Sequence, residues 1–221
     1  MTHAPLETVR AQIQRACIDA GREPSSVQLI AVSKTQPEPA LRAVYEAGQT
    51  HLGESYAQEL RDKARALEGV NWHFIGRLQR NKVKYVAPVA HRIHALETEA
   101  QAEALAARAP GELSCLLSVN IAHEASKSGV LPAEVLERCR TLHQVPGIRL
   151  VGLMCLPPYD LDPEASAPWF QQLADLAARG RADGLPLTEL SMGMSNDFAV
   201  AIRHGATWIR VGTAIFGPRQ R

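Results

Sequence analysis

The fold is decided by the stretch VQLIAVSKTQP at residues 27–37. Its first part, VQLIAV (27–32), is a short apolar run bounded upstream by Pro24-Ser25-Ser26, too short for a helix. An apolar run without polar alternation suits a parallel strand buried on both faces. It breaks abruptly into Ser33-Lys34-Thr35, so a lysine and two hydroxyls stand where a buried strand ends. Working outward, seven further short runs read as strands, at 50–53, 71–75, 92–95, 113–119, 148–153, 187–190 and 207–211.

Helical patterns lie between them. Leu6, Val9, Ile13, Ala16, Cys17 and Ala20 recur at helical spacing before Gly21. Leu41, Val44 and Tyr45 precede Gly48, and FAVAI (198–202) precedes Gly205. Pro132 suits a first helical turn, and Asp162-Pro163 starts a further segment running to Gly180. Strands alternating with helices predict a single (β/α)8 TIM-type barrel domain over residues 1–221. An extra N-terminal helix precedes the first strand and is expected to cover the barrel bottom. The alternative is an open doubly wound sheet.

Composition narrows the function. Apolar residues make up 46% of 221, and 24 basic against 23 acidic residues leave a net charge of +1. That balance argues against a dedicated nucleic-acid or membrane-surface binder. No apolar run approaches the ~20 residues of a membrane span, and the N-terminus MTHAPLETVR lacks signal-peptide features. Cys17, Cys115, Cys139 and Cys155 show no CxxC spacing and read as thiols of a reducing cytoplasm. His91 and His94 are three apart, which on a strand puts them on opposite faces, so no metal site is expected. Arg77, Arg80, Lys82 and Lys84 form a basic segment that reads as one solvated helix face.

In a barrel, function collects where strands end. Of the chain's five lysines, Lys34 alone directly follows a buried-looking strand. Burial and nearby cations lower a lysine's pKa and free the neutral amine to attack an aldehyde. The competing reading is a lysine that caps the strand and reaches solvent. After the seventh and eighth strands come Ser195 and Gly212-Thr213, small residues whose N–H groups and hydroxyls can cradle a phosphate. Arg210 sits between Ile209 and Val211 on the eighth strand. A buried arginine needs a partner, either a carboxylate such as Glu54 or a ligand ring nitrogen. His73 is a cofactor neighbour or a core histidine, and Tyr56 and Tyr159 stand near the rim. Glu124 and Lys127 follow the fifth strand as a lid or a surface ion pair.

Six stretches carry a resemblance: LIAVSKTQP (29–37), HLGESYAQEL (51–60), WHFIGRLQRNK (72–82), VNIAHEASKSG (119–129), GLMCLPP (152–158) and LSMGMSNDFAVAIRHGATWIRVGTAIFG (190–217). In order and over almost the whole chain, they resemble the pyridoxal phosphate homeostasis protein family, related to the N-terminal barrel of alanine racemase. The resemblance implies that Lys34 holds pyridoxal 5′-phosphate (PLP) as a lysine Schiff base. It implies that Ser195, Gly212 and Thr213 hold the phosphate and that Arg210 points at the pyridine nitrogen. Ser55 stands where the family commonly has asparagine, and it offers one donor instead of two. Arg77 stands where proline is frequent.

The implied function is a cytoplasmic carrier and buffer of PLP that maintains vitamin B6 homeostasis and releases the aldehyde to apo-enzymes. An arginine stays cationic, so the facing ring nitrogen would be unprotonated and the ring a weaker electron sink. The racemase's catalytic tyrosine comes from a second domain, for which no segment after the eighth strand is expected to stand in. The alternative is a PLP-dependent enzyme of weak or unassigned activity, such as an amino-acid racemase. A monomer is expected.

Overall fold

A computed structural model describes residues 3–218; the ends of the expected domain, 1–2 and 219–221, lie outside the described residues. The elements run α1 (Ala4–Asp19), β1 (Gln28–Val32), α2 (Glu38–Glu46), β2 (His51–Glu54), α3 (Ala57–Ala66), β3 (Asn71–Phe74), α4 (Val83–Val86), β4 (Arg92–Leu96), α5 (Glu99–Ala106), β5 (Leu113–Val119), α6 (Val135–His143), β6 (Ile148–Cys155), α7 (Ala167–Ala182), β7 (Glu189–Ser191), α8 (Phe198–Arg203), β8 (Trp208–Val211) and α9 (Thr213–Phe216). The strands close into a barrel in sequence order, with every neighbouring pair parallel. β8 returns to β1 with Gln28 opposite Trp208 and Ala31 opposite Val211. The open-sheet alternative is thereby excluded.

Local chemistry explains the segments. α1 starts with the His3 side chain accepting from the Leu6 N–H and with proline in its first turn. Leu6, Val9, Ile13 and Cys17 give it one buried stripe, which packs on α8 and α9. α1 therefore joins the outer helix layer beside the short α9. Its Arg10, Ile13 and Gln14 reach the strand starts, at a cavity shared with Thr50 and His51. α5 begins with a reciprocal capping box between Thr98 and Gln101.

The seventh strand lies later than 187–190, because Leu187 is drawn into the core and the ladder starts at Glu189. There Gly152 is required: a Cβ on it would lie 1.9 Å from the Glu189 carbonyl oxygen. The main apolar core lies between strands and helices. The barrel interior differs from the expected apolar filling. Leu116, Val151 and Met154 form a small separate cluster, while His94 on β4 bonds Ser191 on β7. Those strands are not neighbours in the sheet, so the bond crosses the interior. The expected placing of His91 and His94 on opposite faces of one strand also fails. His91 precedes β4, and both rings approach His73, at centroid distances of 5.7 and 5.1 Å.

Candidate functional site

Each strand end delivers its loop to one rim, and there the loops enclose a cavity of about 640 Å³. Lys34, Ser55, Arg77, Lys127, Tyr159, Ser195, Arg210, Gly212 and Thr213 all line it, over an apolar floor that includes Val32, Ile75, Ala95 and Met154. This volume lies in the range of small-molecule sites.

The turn carrying Lys34 is bolted from beneath. Ser33 is fully buried and donates from Oγ to Glu54 Oε1 at 2.6 Å, while its N–H donates to the Gly53 carbonyl. Lys63, one turn along α3 from Glu59, donates to the Ser33 carbonyl at 2.7 Å, to Glu54 at 2.8 Å and to Glu59 at 2.6 Å. The Thr35 N–H donates to Glu59 Oε1 at 2.6 Å. These bonds hold Thr35 at φ +65°, a conformation a β-branched residue rarely adopts. Glu54 is fully buried and its Oε2 has no hydrogen-bond partner. Burial therefore dominates its titration and pushes it up to about 7, against the opposing pull of Lys63 and Ser33.

On the opposite side, β7 and β8 supply the small residues. The turn before α8 is closed by Asp197, which accepts from the Met194 N–H at 2.7 Å and from the Ser166 hydroxyl at 2.9 Å. Asn196 ties this turn to the loop after β6 by donating to the Asp160 carbonyl at 3.1 Å. Gly212 leads from β8 into the single turn α9, where its carbonyl accepts from the Ile215 and Phe216 N–H groups at 2.9 and 3.0 Å. A Cβ on Gly212 would sit 3.2 Å from the Val32 carbonyl oxygen, so a small residue keeps β8 close to β1. Gly76 plays the same part between two other loops: its Cβ would lie 2.1 Å from the Ser55 carbonyl oxygen.

Arg210 is buried beneath the cavity. It donates to Ser191 Oγ at 2.5 Å and to the Cys155 carbonyl at 2.9 Å. Glu54 is not its partner; that carboxylate is engaged by Lys63. Among the described residues no carboxylate forms an ion pair with Arg210. Burial draws its pKa down, offset in part by Cys155 and Asp197.

The chain matches the family described as alanine racemase, N-terminal domain, over residues 6–220. The pyridoxal phosphate homeostasis protein of Vibrio alginolyticus is 41% identical over 223 residues, covering 97% of this chain and 96% of its own. This chain belongs to the pyridoxal phosphate homeostasis protein family. The Aquifex aeolicus member is 39% identical, with 97% of each chain covered. The structure of PipY from Synechococcus elongatus with PLP bound is similar at a TM-score of 0.79 and 36% identity, over 93% of this chain and all of PipY. The alanine racemase of Corynebacterium glutamicum, at 19% identity and a TM-score of 0.67, shares the fold.

In this homeostasis-family member, six of the seven residues singled out from sequence line one cavity: Lys34, Ser55, Ser195, Arg210, Gly212 and Thr213. His73 does not. It is fully buried within the barrel, hydrogen-bonded to His51 and His94 at 2.9 Å each. Tyr159 lines the cavity, whereas Tyr56 is exposed and stands outside it. Lys127 pairs with Glu124 and donates to the Leu156 and Pro157 carbonyls, joining the loops after β5 and β6. The basic segment divides: Arg77 lines the cavity, while Lys82, Lys84 and Arg61 surround the Tyr85 ring at 5.9, 5.0 and 4.9 Å. Sequence reasoning missed Lys63. Its i,i+4 relation to Glu59 was the available signal. Ser191, which directly follows the run 187–190, was not singled out, although its place at a strand end was the available signal.

Proposed function

We propose that this chain binds PLP in the rim cavity, holds it through Lys34, and buffers and releases it in the cytoplasm to apo-enzymes that require it. One observation carries the reading: an amine in the turn after β1, small hydroxyl and glycine residues after β7 and β8, and a buried guanidinium without a carboxylate ion-pair partner line the same cavity. The donor set fits the cofactor. Ser195, Gly212 and Thr213 offer N–H groups and hydroxyls to a phosphate, and Arg210 offers N–H donors to a ring nitrogen. PLP binding is supported by the PLP-bound PipY structure, 36% identical to this chain.

When bound, PLP supplies an electrophilic aldehyde on an electron-withdrawing ring. The Lys34 amine would condense with that aldehyde, with loss of water, and the bolted turn beneath it fixes where the amine stands. Arg210 keeps its proton, so it would donate to the ring nitrogen and leave that nitrogen unprotonated. That arrangement favours storage over carbanion chemistry. Tyr159 is 75% exposed and, like Lys127, belongs to the cavity's outer wall.

The test is borohydride reduction of protein saturated with PLP, followed by peptide mapping. The expected result is one reduced cofactor fixed to the peptide containing Lys34, and none in Lys34→Ala. Equal fixation in Lys34→Ala, or none in the wild type, overturns the assignment. Incubation of the loaded protein with alanine or serine in heavy water separates buffer from racemase: turnover with α-proton exchange establishes the enzyme reading.

A further inference from the structure

We propose that His51, His73, His94 and Ser191 form a single-sense hydrogen-bond relay through the barrel that positions Arg210 under the cavity. The relay deepens the reading above and rests on it, because Arg210 is assigned there to the cofactor's ring nitrogen. Four contacts define it. His51 Nδ1 meets His73 Nε2 at 2.9 Å, and His73 Nδ1 meets His94 Nε2 at 2.9 Å. His94 Nδ1 meets Ser191 Oγ at 2.8 Å, and Arg210 donates to the same Oγ at 2.5 Å. His73, His94 and Ser191 are fully buried. His51 lines a second cavity of about 380 Å³ at the strand N-terminal ends, so the relay joins the two ends of the barrel.

The chemistry of one terminus sets the sense of the whole. A guanidinium can only donate. Ser191 Oγ therefore accepts from Arg210, and its own proton passes to His94 Nδ1. His94 then carries its proton on Nε2 and donates to His73 Nδ1. His73 in turn carries its proton on Nε2 and donates to His51 Nδ1. The opposite sense makes Ser191 accept twice and leaves its buried hydroxyl proton without an acceptor, which disfavours that sense by about tenfold or more. Neutral rings are required throughout, because an imidazolium would place two protons in one contact. Burial, together with the charges of Arg210, Arg92 and the neighbouring histidines, holds His73 and His94 well below the ordinary histidine range. The Trp208 ring packs against His51, His73 and His94, while Arg92 at the edge of the relay is engaged by Glu189.

The consequence concerns Arg210. In the expected sense each ring turns its lone-pair end toward the guanidinium, so a row of neutral dipoles supports a buried cation. A carboxylate in that place would neutralise the charge. The dipoles hold the guanidinium in position and leave its charge to act on what occupies the cavity.

Nitrogen NMR of ¹⁵N-histidine-labelled, cofactor-free protein tests this directly between pH 6 and 8. The expected spectrum shows His73 and His94 each as a single Nε2–H tautomer. An Nδ1–H form, a mixture or an imidazolium at either residue overturns the relay. Ser191→Ala should release His94 from its fixed tautomer. It should also weaken PLP binding about tenfold and shift the pH titration of the bound cofactor's absorbance, and Ser191→Thr should restore all three. Unchanged tautomer and titration in Ser191→Ala overturn the positioning role. Failure of cofactor fixation at Lys34 sinks the functional reading alone, because the tautomer spectra are recorded without cofactor.

Discussion

Glu54→Gln isolates the group that anchors the Lys34 turn. Gln keeps the side-chain shape and an acceptor for Ser33 and Lys63, and it cannot ionise. In the wild type, burial raises the Glu54 carboxyl from the ordinary 4.5 to about 7. The folded chain then keeps a proton that the unfolded chain releases between those two values. Stability therefore falls as pH rises through the window from 4.5 to 7, and the loss is complete by about pH 8. A shift from 4.5 to about 7 corresponds to about 3 kcal/mol in total, most of it between pH 5 and 8. Urea unfolding of both proteins at pH 5, 6, 7 and 8, followed by tryptophan fluorescence, cancels the titrations they share. The wild type should lose about 2–3 kcal/mol relative to Glu54→Gln across that range. For a chain of this length the matching melting-temperature change is about 5–10 °C. A pH-independent difference, or one that moves in favour of the wild type as pH rises, refutes the reasoning. The second outcome would mean that Lys63 holds the carboxylate ionised and outweighs burial.

Three further results are expected. Ser195→Ala and Thr213→Ala should each remove a hydrogen bond to the cofactor's phosphate and weaken PLP binding by about 10–100-fold, measured by fluorescence titration; wild-type affinity in both variants places the phosphate elsewhere. Gly152→Ala forces a Cβ to within 1.9 Å of the Glu189 carbonyl where β6 meets β7. It should cost about 3 kcal/mol or more, and an unchanged thermal melt would contradict that approach. Burial pushes the Cys139 and Cys155 thiols up to about 12 and Cys115 higher still. Iodoacetamide at pH 8 should leave all three unmodified in the native protein and label them after denaturation, while rapid native labelling of Cys155 would show that it is not buried beside Arg210.

The barrel was legible because its signal is local. β1 and β5 are apolar runs whose length excludes a helix, and the strand ends carry the polar residues that mark a rim. Lys34, Ser195 and Gly212 stood out for the same reason, since each lies between a strand end and the helix that follows it. The interior was not legible, because closure brings together residues distant in sequence. His94 and Ser191 are 97 positions apart and meet only across the barrel. Lys63 was not singled out for a related reason: α3 has a charged composition, and nothing local shows that one of its charges turns inward to Ser33 and Glu54. The pairing of Glu54 with Arg210 was chemically sound as a suggestion and geometrically wrong, since both charges found other partners.

The two cations nearest the cavity floor, half-buried Lys63 and buried Arg210, are treated in opposite ways, and the difference bears on what each does for a ligand. Lys63 has three N–H donors, and all three are used, two on carboxylates and one on a carbonyl. Its charge is neutralised where it stands, so it serves as a bolt for the Lys34 turn. Arg210 has as partners a hydroxyl and a carbonyl. Neither cancels its charge, and the low dielectric around it strengthens whatever field remains. An electron-rich group entering the cavity is therefore drawn toward Arg210 on β8 and away from Lys63. On the proposed reading the ligand's ring nitrogen would meet the guanidinium, while the N–H groups and hydroxyls of the loops after β7 and β8 would receive its phosphate. Which cation was given a carboxylate ion pair and which was not thus separates the bolt under Lys34 from the charge left to act on a ligand.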